Sequence, residues 1–305
     1  MARTHTATMV LERITTMLDY DFMRTAFMAS GVVAILSGLV GYFLVLRNQT
    51  FAGHALSHVG FTGATGAILV GISPFWGLVG FTLMAGLAMG TLGEKLGARD
   101  VAIGMTLSVA LGLGLLFLHF YTAFATQATA LLFGNVLGVD RSALVSLASL
   151  ALVSVVTLGV IARPLLFASL QPELAEAKGV PVRILAIAFM AIVAVAVAES
   201  TQVVGVLLVF TLMVGPAAAA RNLTSRVGTA VTLSAGLALA EAWTGLTLAW
   251  FTNWPVSFWI TALSGLVYGL SLCAGALRLD PFRRRTAQPV ERAPTIDRAE
   301  SLTSP

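Results

Sequence analysis

Long apolar runs separated by short polar clusters fill most of the chain. At about 20 apolar residues per bilayer crossing they divide into nine candidate spans. These cover residues 25–46, 55–71, 75–92, 101–120, 143–162, 183–198, 203–220, 228–251 and 257–277. The second and third are short enough to pack as half-spans, so the pattern predicts an all-α polytopic membrane protein with eight to nine transmembrane helices. Small-residue spacings such as Gly86/Gly90 and Gly112/Gly114 are the kind that let helices approach closely in lipid. Ahead of the spans, Val10, Leu11, Ile14, Met17 and Leu18 recur at helical spacing beside Glu12, Arg13 and Asp19, so residues 1–24 read as an amphipathic interfacial segment. Residues 25–277 form the transmembrane domain, and 278–305 are polar, Pro-interrupted and predicted to be a disordered cytoplasmic tail.

Composition excludes a soluble globule: 10% of residues are charged and the mean hydropathy is +0.90. One cysteine, Cys273, allows no intrachain disulfide or thiolate cluster. The net charge of +4 does not point to nucleic acid, because the basic residues sit at span ends and not along a stripe. They orient the chain instead. With nine spans, Arg47, Lys95, Arg99, Arg163, Lys178, Arg183, Arg221, Arg226, Arg278 and the tail arginines fall inside, leaving Arg3, Arg13, Arg24 and Arg141 outside. The first 24 residues lack the apolar core and cleavage site of a signal peptide, so a multi-pass protein of the cell (inner) membrane is expected.

Only four histidines are present, and two of them, His54 and His58, stand at i and i+4 inside "FAGHALSHVG". On a helix both imidazoles point the same way. A lone histidine in an apolar span is ordinarily a buried ring bonded to a neighbour. A spaced pair favours a place in a polar pathway, because ionisable groups at membrane depth face a bundle interior or water. Glu199 and Glu241 are the other residues that a span carries at a cost, of about 3 kcal/mol at its centre. Each reads either as a capping or snorkelling carboxylate or as part of a cation pathway. Asp100 reads as the N-cap of the next helix, and Asp140 and Arg141 as an outer-loop pair or a contact for an outside partner. Residues 121–138 read as a re-entrant piece or a loop.

The longest cytoplasmic connection contains "QPELAEAKG": Pro172 in a first turn, Glu173 and Glu176 early, Lys178 late and Gly179 as a stop. That is a short capped helix near residues 171–180, which a plain turn would not need. A docking element for a cytoplasmic partner is the functional reading.

In order, "LRNQTFAGHALSHVGFTGATGAILVG", "DVAIGMTLSVALGLGLLFL", "LFGNVLGV", "QPELAEAKGV" and "VVGVLLVFTLMVGPAAAARNL" resemble the transmembrane subunits of bacterial ABC importers for zinc and manganese, over roughly residues 25–275. The resemblance implies the helical permease fold, a homodimer, a cytoplasmic ATPase docked on a coupling helix carried here by Glu173, Ala175 and Gly179, and an extracytoplasmic solute-binding protein that delivers the metal. Where that family opens its coupling helix with Asp or Asn, Gln171 stands here. The matching family segment reads "GDALSHA", so His54 takes an aspartate's place and His58 matches the family histidine. Imidazole in place of carboxylate tilts the donor set toward zinc as the transported ion and away from manganese. No permanently bound cofactor is implied.

Rival classes fare less well. An intramembrane metalloprotease would carry His-Glu-x-x-His, but Ala55 holds the position of the base, and neither a Gly-x-Ser-x-Gly elbow nor a Walker loop is present. The chain is therefore expected to be a transport subunit without its own ATPase motif. A manganese importer permease and a proton-coupled secondary metal carrier using Glu199 and Glu241 are the alternatives. A vitamin or siderophore importer would not need paired imidazoles.

Overall fold

The computed structural model describes residues 16–92, 96–120, 131–206 and 208–286. Among them run α1 (Asp21–Leu46), α2 (Thr50–Leu69), α3 (Pro74–Leu92), α4 (Leu96–His119), α5 (Arg141–Leu170), the short α6 (Pro172–Ala177), α7 (Val182–Val204), α8 (Val209–Leu223), α9 (Val227–Thr252) and α10 (Val256–Thr286). Seven of these are long and apolar enough to cross a membrane; α2 and α8 are the long helices that fall short. In α2 the apolar run is diluted by His54, Ser57, His58, Thr62 and Thr65. With 15 residues, α8 reaches about 22 Å, less than the hydrocarbon thickness.

The centre of the bundle is α1 and α7, whose apolar stretches are 72% and 56% buried, against 17% for α4 and 22% each for α5 and α10. The peripheral helices turn Val153, Val156, Val160, Leu266 and Leu270 outward, as contact with lipid requires. Small residues set the central crossings. On α1, the Ser234 hydroxyl of α9 donates to the Gly38 carbonyl at 2.7 Å, and a Cβ on Gly41 would run into the Met213 carbonyl of α8. Gly86 and Gly90 of α3 lie against Met190 and Ile187 of α7. Gly114 packs on Thr62, but Gly112 has open space beside it and makes no such crossing. Hydroxyls add specific bonds, with Ser37 and Ser200 2.7 Å apart between α1 and α7 and Thr62 donating to Ala110 of α4 at 2.7 Å.

Two corners hold the parts that matter. Between α1 and α2, Asn48 adopts a left-handed φ of 53°, the Gln49 amide donates to Leu44 at 2.9 Å and the Asn48 amide to Val45 at 3.2 Å, a Schellman-type stop that leaves no slack before α2. The Arg47 guanidinium then donates to Ser169 in the last turn of α5 at 2.9 Å. After α5, Pro172 opens α6 and Gly179 closes it at φ 76°, with the Gly179 amide donating to Glu176 at 2.9 Å and the Val180 amide to Ala175 at 3.0 Å. Arg47, Gln49, Gly90, Ile103, Glu176 and Arg183 border one cavity of about 330 Å³. These corners therefore share one side, the side that the positive charges assign to the cytoplasm.

Several boundaries differ from the sequence reading. α5 runs to Leu170, past the expected end at 162, because "LLFASL" after Pro164 is good helix former with no stop before Gln171. Asp100 lies inside α4, which begins at Leu96, so it is not an N-cap. Asp140 caps α5 by accepting from the Ala143 amide at 2.7 Å, while Arg141 lies 3.9 Å from Asp21. The expected span 203–220 is broken: α7 continues to Val204, Gly205 turns at φ 92°, and α8 follows. α10 stays helical to Thr286, so the tail expected from 278 begins as helix, and 287–305 lie outside the described residues. Of the expected interfacial set, Val10, Leu11 and Ile14 lie outside the described residues, and Met17 is buried.

Candidate functional site

His54 and His58 occupy the second and third turns of α2 after the Arg47–Gln49 corner, both half-buried. The rings meet edge to face with centroids 4.9 Å apart. Neither imidazole makes a hydrogen bond among the described residues; the nearby bond from the Ser57 hydroxyl, at 2.7 Å, goes to the His54 carbonyl. Four ring nitrogens thus stand close together with their lone pairs or protons uncommitted. The pair's surroundings are aromatic: Phe210, the second residue of α8, lies 5.9 Å from His54 edge to face, and Phe51 lies 6.3 Å away. Phe51 and Phe210 are 48% and 39% exposed, so the histidines open on a face that α2 shares with α8.

The two helices that fall short of the criteria for crossing a membrane are therefore the two that meet at the histidines. Phe210 was not singled out from the sequence, since a Phe in an apolar run carries no signal of its own. Among the described residues, no group of three or more His, Cys, Asp or Glu converges. The pair supplies two ligands of an incomplete shell, which suits an ion that must leave again better than one held for structure.

Neither Glu199 nor Glu241 joins the histidines in any described contact, and both are enclosed by protein, at 0% and 3% exposure. Glu199 sits in the penultimate turn of α7, and both its oxygens lack a hydrogen-bond partner. Glu241, in α9, has Ser264 of α10 as its neighbour, and that hydroxyl also reaches the Thr211 carbonyl at 3.3 Å. On the other side of the bundle from the cytoplasmic corners, Ile72, Ser73, Asn135, Val139 and Gln202 border a cavity of about 560 Å³. The stretch 131–138 reaches in here: the Val206 amide donates to Leu131 at 3.2 Å and the Asn135 amide to Gln202 at 3.4 Å, and Val136 is buried. Residues 121–130 lie outside the described residues.

On α6, Ala175 is fully buried, whereas Glu173, Glu176 and Gly179 are exposed. Ala175 seats the helix against the bundle and is not available to a docking partner. Leu174, 45% exposed beside Glu173, is the apolar knob that sequence reasoning passed over. Nothing in "PELAEA" tells which of these two adjacent apolar residues turns inward.

Comparison with known proteins matches residues 19–275 to the family model described as ABC 3 transport family. The chain is 29% identical over 238 residues to the manganese transport system membrane protein MntC of Listeria innocua, which covers 78% of this chain and 85% of that one. It is 27% identical over 264 residues to the manganese import system permease protein ScaB of Streptococcus gordonii, covering 86% and 95%. Among solved structures, PsaBC from Streptococcus pneumoniae in complex with Fab superposes with a TM-score of 0.77 at 25% identity, over 86% of this chain and 95% of that one.

Proposed function

Because this chain belongs to the ABC 3 transport family and is a multi-pass membrane protein with a permease fold, we propose that it is the membrane subunit of an ATP-driven importer that carries a divalent transition metal into the cytoplasm. The observation that carries this reading is the pair of imidazoles, their ring centroids 4.9 Å apart and without a hydrogen bond among the described residues, opening beside α8. His54 and His58 take the ion between them, water completes the shell, and rearrangement of the bundle weakens the site so that the ion leaves inward. A second copy set against the open face, with Phe51 and Phe210 at its rim, would enclose the passage, which is the proposed role of the homodimer.

The coupling element is α6. Glu173 and Leu174 meet a cytoplasmic ATPase, Ala175 fixes the helix to the bundle, and Gly179 provides the left-handed stop that aims it. A push on α6 reaches α2 along a short chain of contacts: Ser169 at the end of α5, the Arg47 guanidinium bonded to it, and the tight corner that starts α2 four residues before His54. An extracytoplasmic solute-binding protein delivers the ion on the opposite side.

The imidazole donors favour zinc. A specific observation favours manganese, namely that MntC and ScaB bear manganese in their names. Uptake of radioactive zinc and manganese in cells carrying His54→Ala with His58→Ala, at matched membrane protein levels, tests the reading and ranks the two metals. Unchanged uptake of both would remove the histidines from the pathway.

A further inference from the structure

The last turns of α7 contain an arrangement that the histidine site does not explain. Glu199 is fully buried and, among the described residues, neither carboxylate oxygen has a partner; Gln202, three residues on and so on the same helix face, has a buried Oε1 that also lacks one. Three acceptor oxygens in adjoining turns therefore face no donor. The helix as a whole is not starved of partners. Between these two residues, Ser200 reaches Ser37 at 2.7 Å and the Ala196 carbonyl at 2.7 Å, and Thr201 reaches the Val197 carbonyl at 2.7 Å. The deficit is confined to the face that carries Glu199 and Gln202.

An ionised carboxylate enclosed by protein must be paired or coordinate a cation. Two carboxylate oxygens and one amide oxygen without donors accommodate a positive guest, and the ionised carboxylate repels an anion. Gln202 borders the cavity on the side opposite the cytoplasmic corners, where Ser73 and Asn135 add further polar groups, and Glu199 lies one turn deeper on the same helix. Glu199 lies five residues before the end of α7, about 7 Å along the axis from that outer end. His54 and His58 lie in the first turns of α2, by the cytoplasmic corner. The two sites stand at different depths.

We infer that Glu199 and Gln202 form an oxygen-lined station for a divalent cation at the outer end of the transport path, occupied before the ion reaches the histidines. This rests on the reading of the protein as a metal importer. Carboxylate and amide oxygens suit harder ions than imidazole does, so the station accepts manganese readily. Glu241 is not part of it: both its oxygens also lack a hydrogen-bond partner among the described residues, but it lies on α9 beside Ser264, and no unpartnered oxygen of another residue stands within a turn of it on that helix.

The test uses the full chain in lipid nanodiscs with Mn²⁺ as the probe, its binding followed by loss of the free-ion electron paramagnetic resonance signal. In the His54→Ala/His58→Ala background Mn²⁺ still binds, and adding Glu199→Gln weakens that binding at least tenfold. Gln202→Met weakens it by a smaller factor and serves as the deciding variant if Glu199→Gln does not fold. Mn²⁺ binding unchanged by Glu199→Gln, or by Gln202→Met in that event, overturns the station and leaves Glu199 as a neutral packing group. Failure of the histidine reading has a different signature, unaltered uptake in the histidine double variant, and is scored independently of the Glu199 result.

Discussion

The imidazoles of α2 and the carboxylate of α7 handle polarity at membrane depth in opposite ways. His54 and His58 are half-exposed, neutral when unprotonated, and can wait for an ion on an open face. Glu199 is sealed, and a sealed carboxylate must always have company, whether a proton or a metal. The contrast teaches that an open site can stay loose and releasing, while a closed one must either stay neutral or be filled. An importer that receives an ion on one side and discharges it on the other has use for both kinds.

The largest effect expected is from His54→Ala with His58→Ala, which removes the open site. Metal uptake should fall on the order of 100-fold, measured with radioactive ion and protein levels checked. Next comes Leu174→Asp on α6, which leaves both sites intact and cuts the drive: transport and metal-stimulated ATP hydrolysis should fall about tenfold while equilibrium metal binding stays unchanged. A parallel loss of binding would contradict the separation of site from engine. His54→Asp converts one open ligand to the chemistry of the closed site, and the ratio of manganese to zinc uptake should rise several-fold. The smallest effect should come from Ser37→Ala, whose partner Ser200 follows Glu199 in the chain, where loss of one interhelical bond costs about 0.6 kcal/mol, read as a slight fall in thermal midpoint with uptake preserved. A large loss of uptake there would tie the serine pair to the pathway.

Much of the fold could be read from the chain because hydropathy and helix-stop chemistry are local. All the expected apolar runs but 203–220 fall on single helices, and the Pro172 to Gly179 signals marked α6 with its left-handed end. The i,i+4 spacing put both histidines on one face, as the helix period requires. What the chain did not disclose depends on packing between distant segments. Nothing around Phe210 said that it would meet His54, and nothing around Ala175 said that it would point inward while Leu174 pointed out. Gly86 and Gly112 looked alike, yet only the first has a helix against it. The break at Gly205 was hidden because the residues on either side are equally apolar, and only contact with 131–135 fixes the turn there.

The length of α5 has a mechanical corollary. Its 30 residues extend about 45 Å, some 15 Å more than the hydrocarbon they traverse. The surplus is long enough for the end of α5, where Ser169 meets Arg47, to stand outside the hydrocarbon as a stem beneath α6. A motor gripping α6 gains leverage without displacing lipid, and thicker bilayers would swallow part of the stem and shorten the stroke.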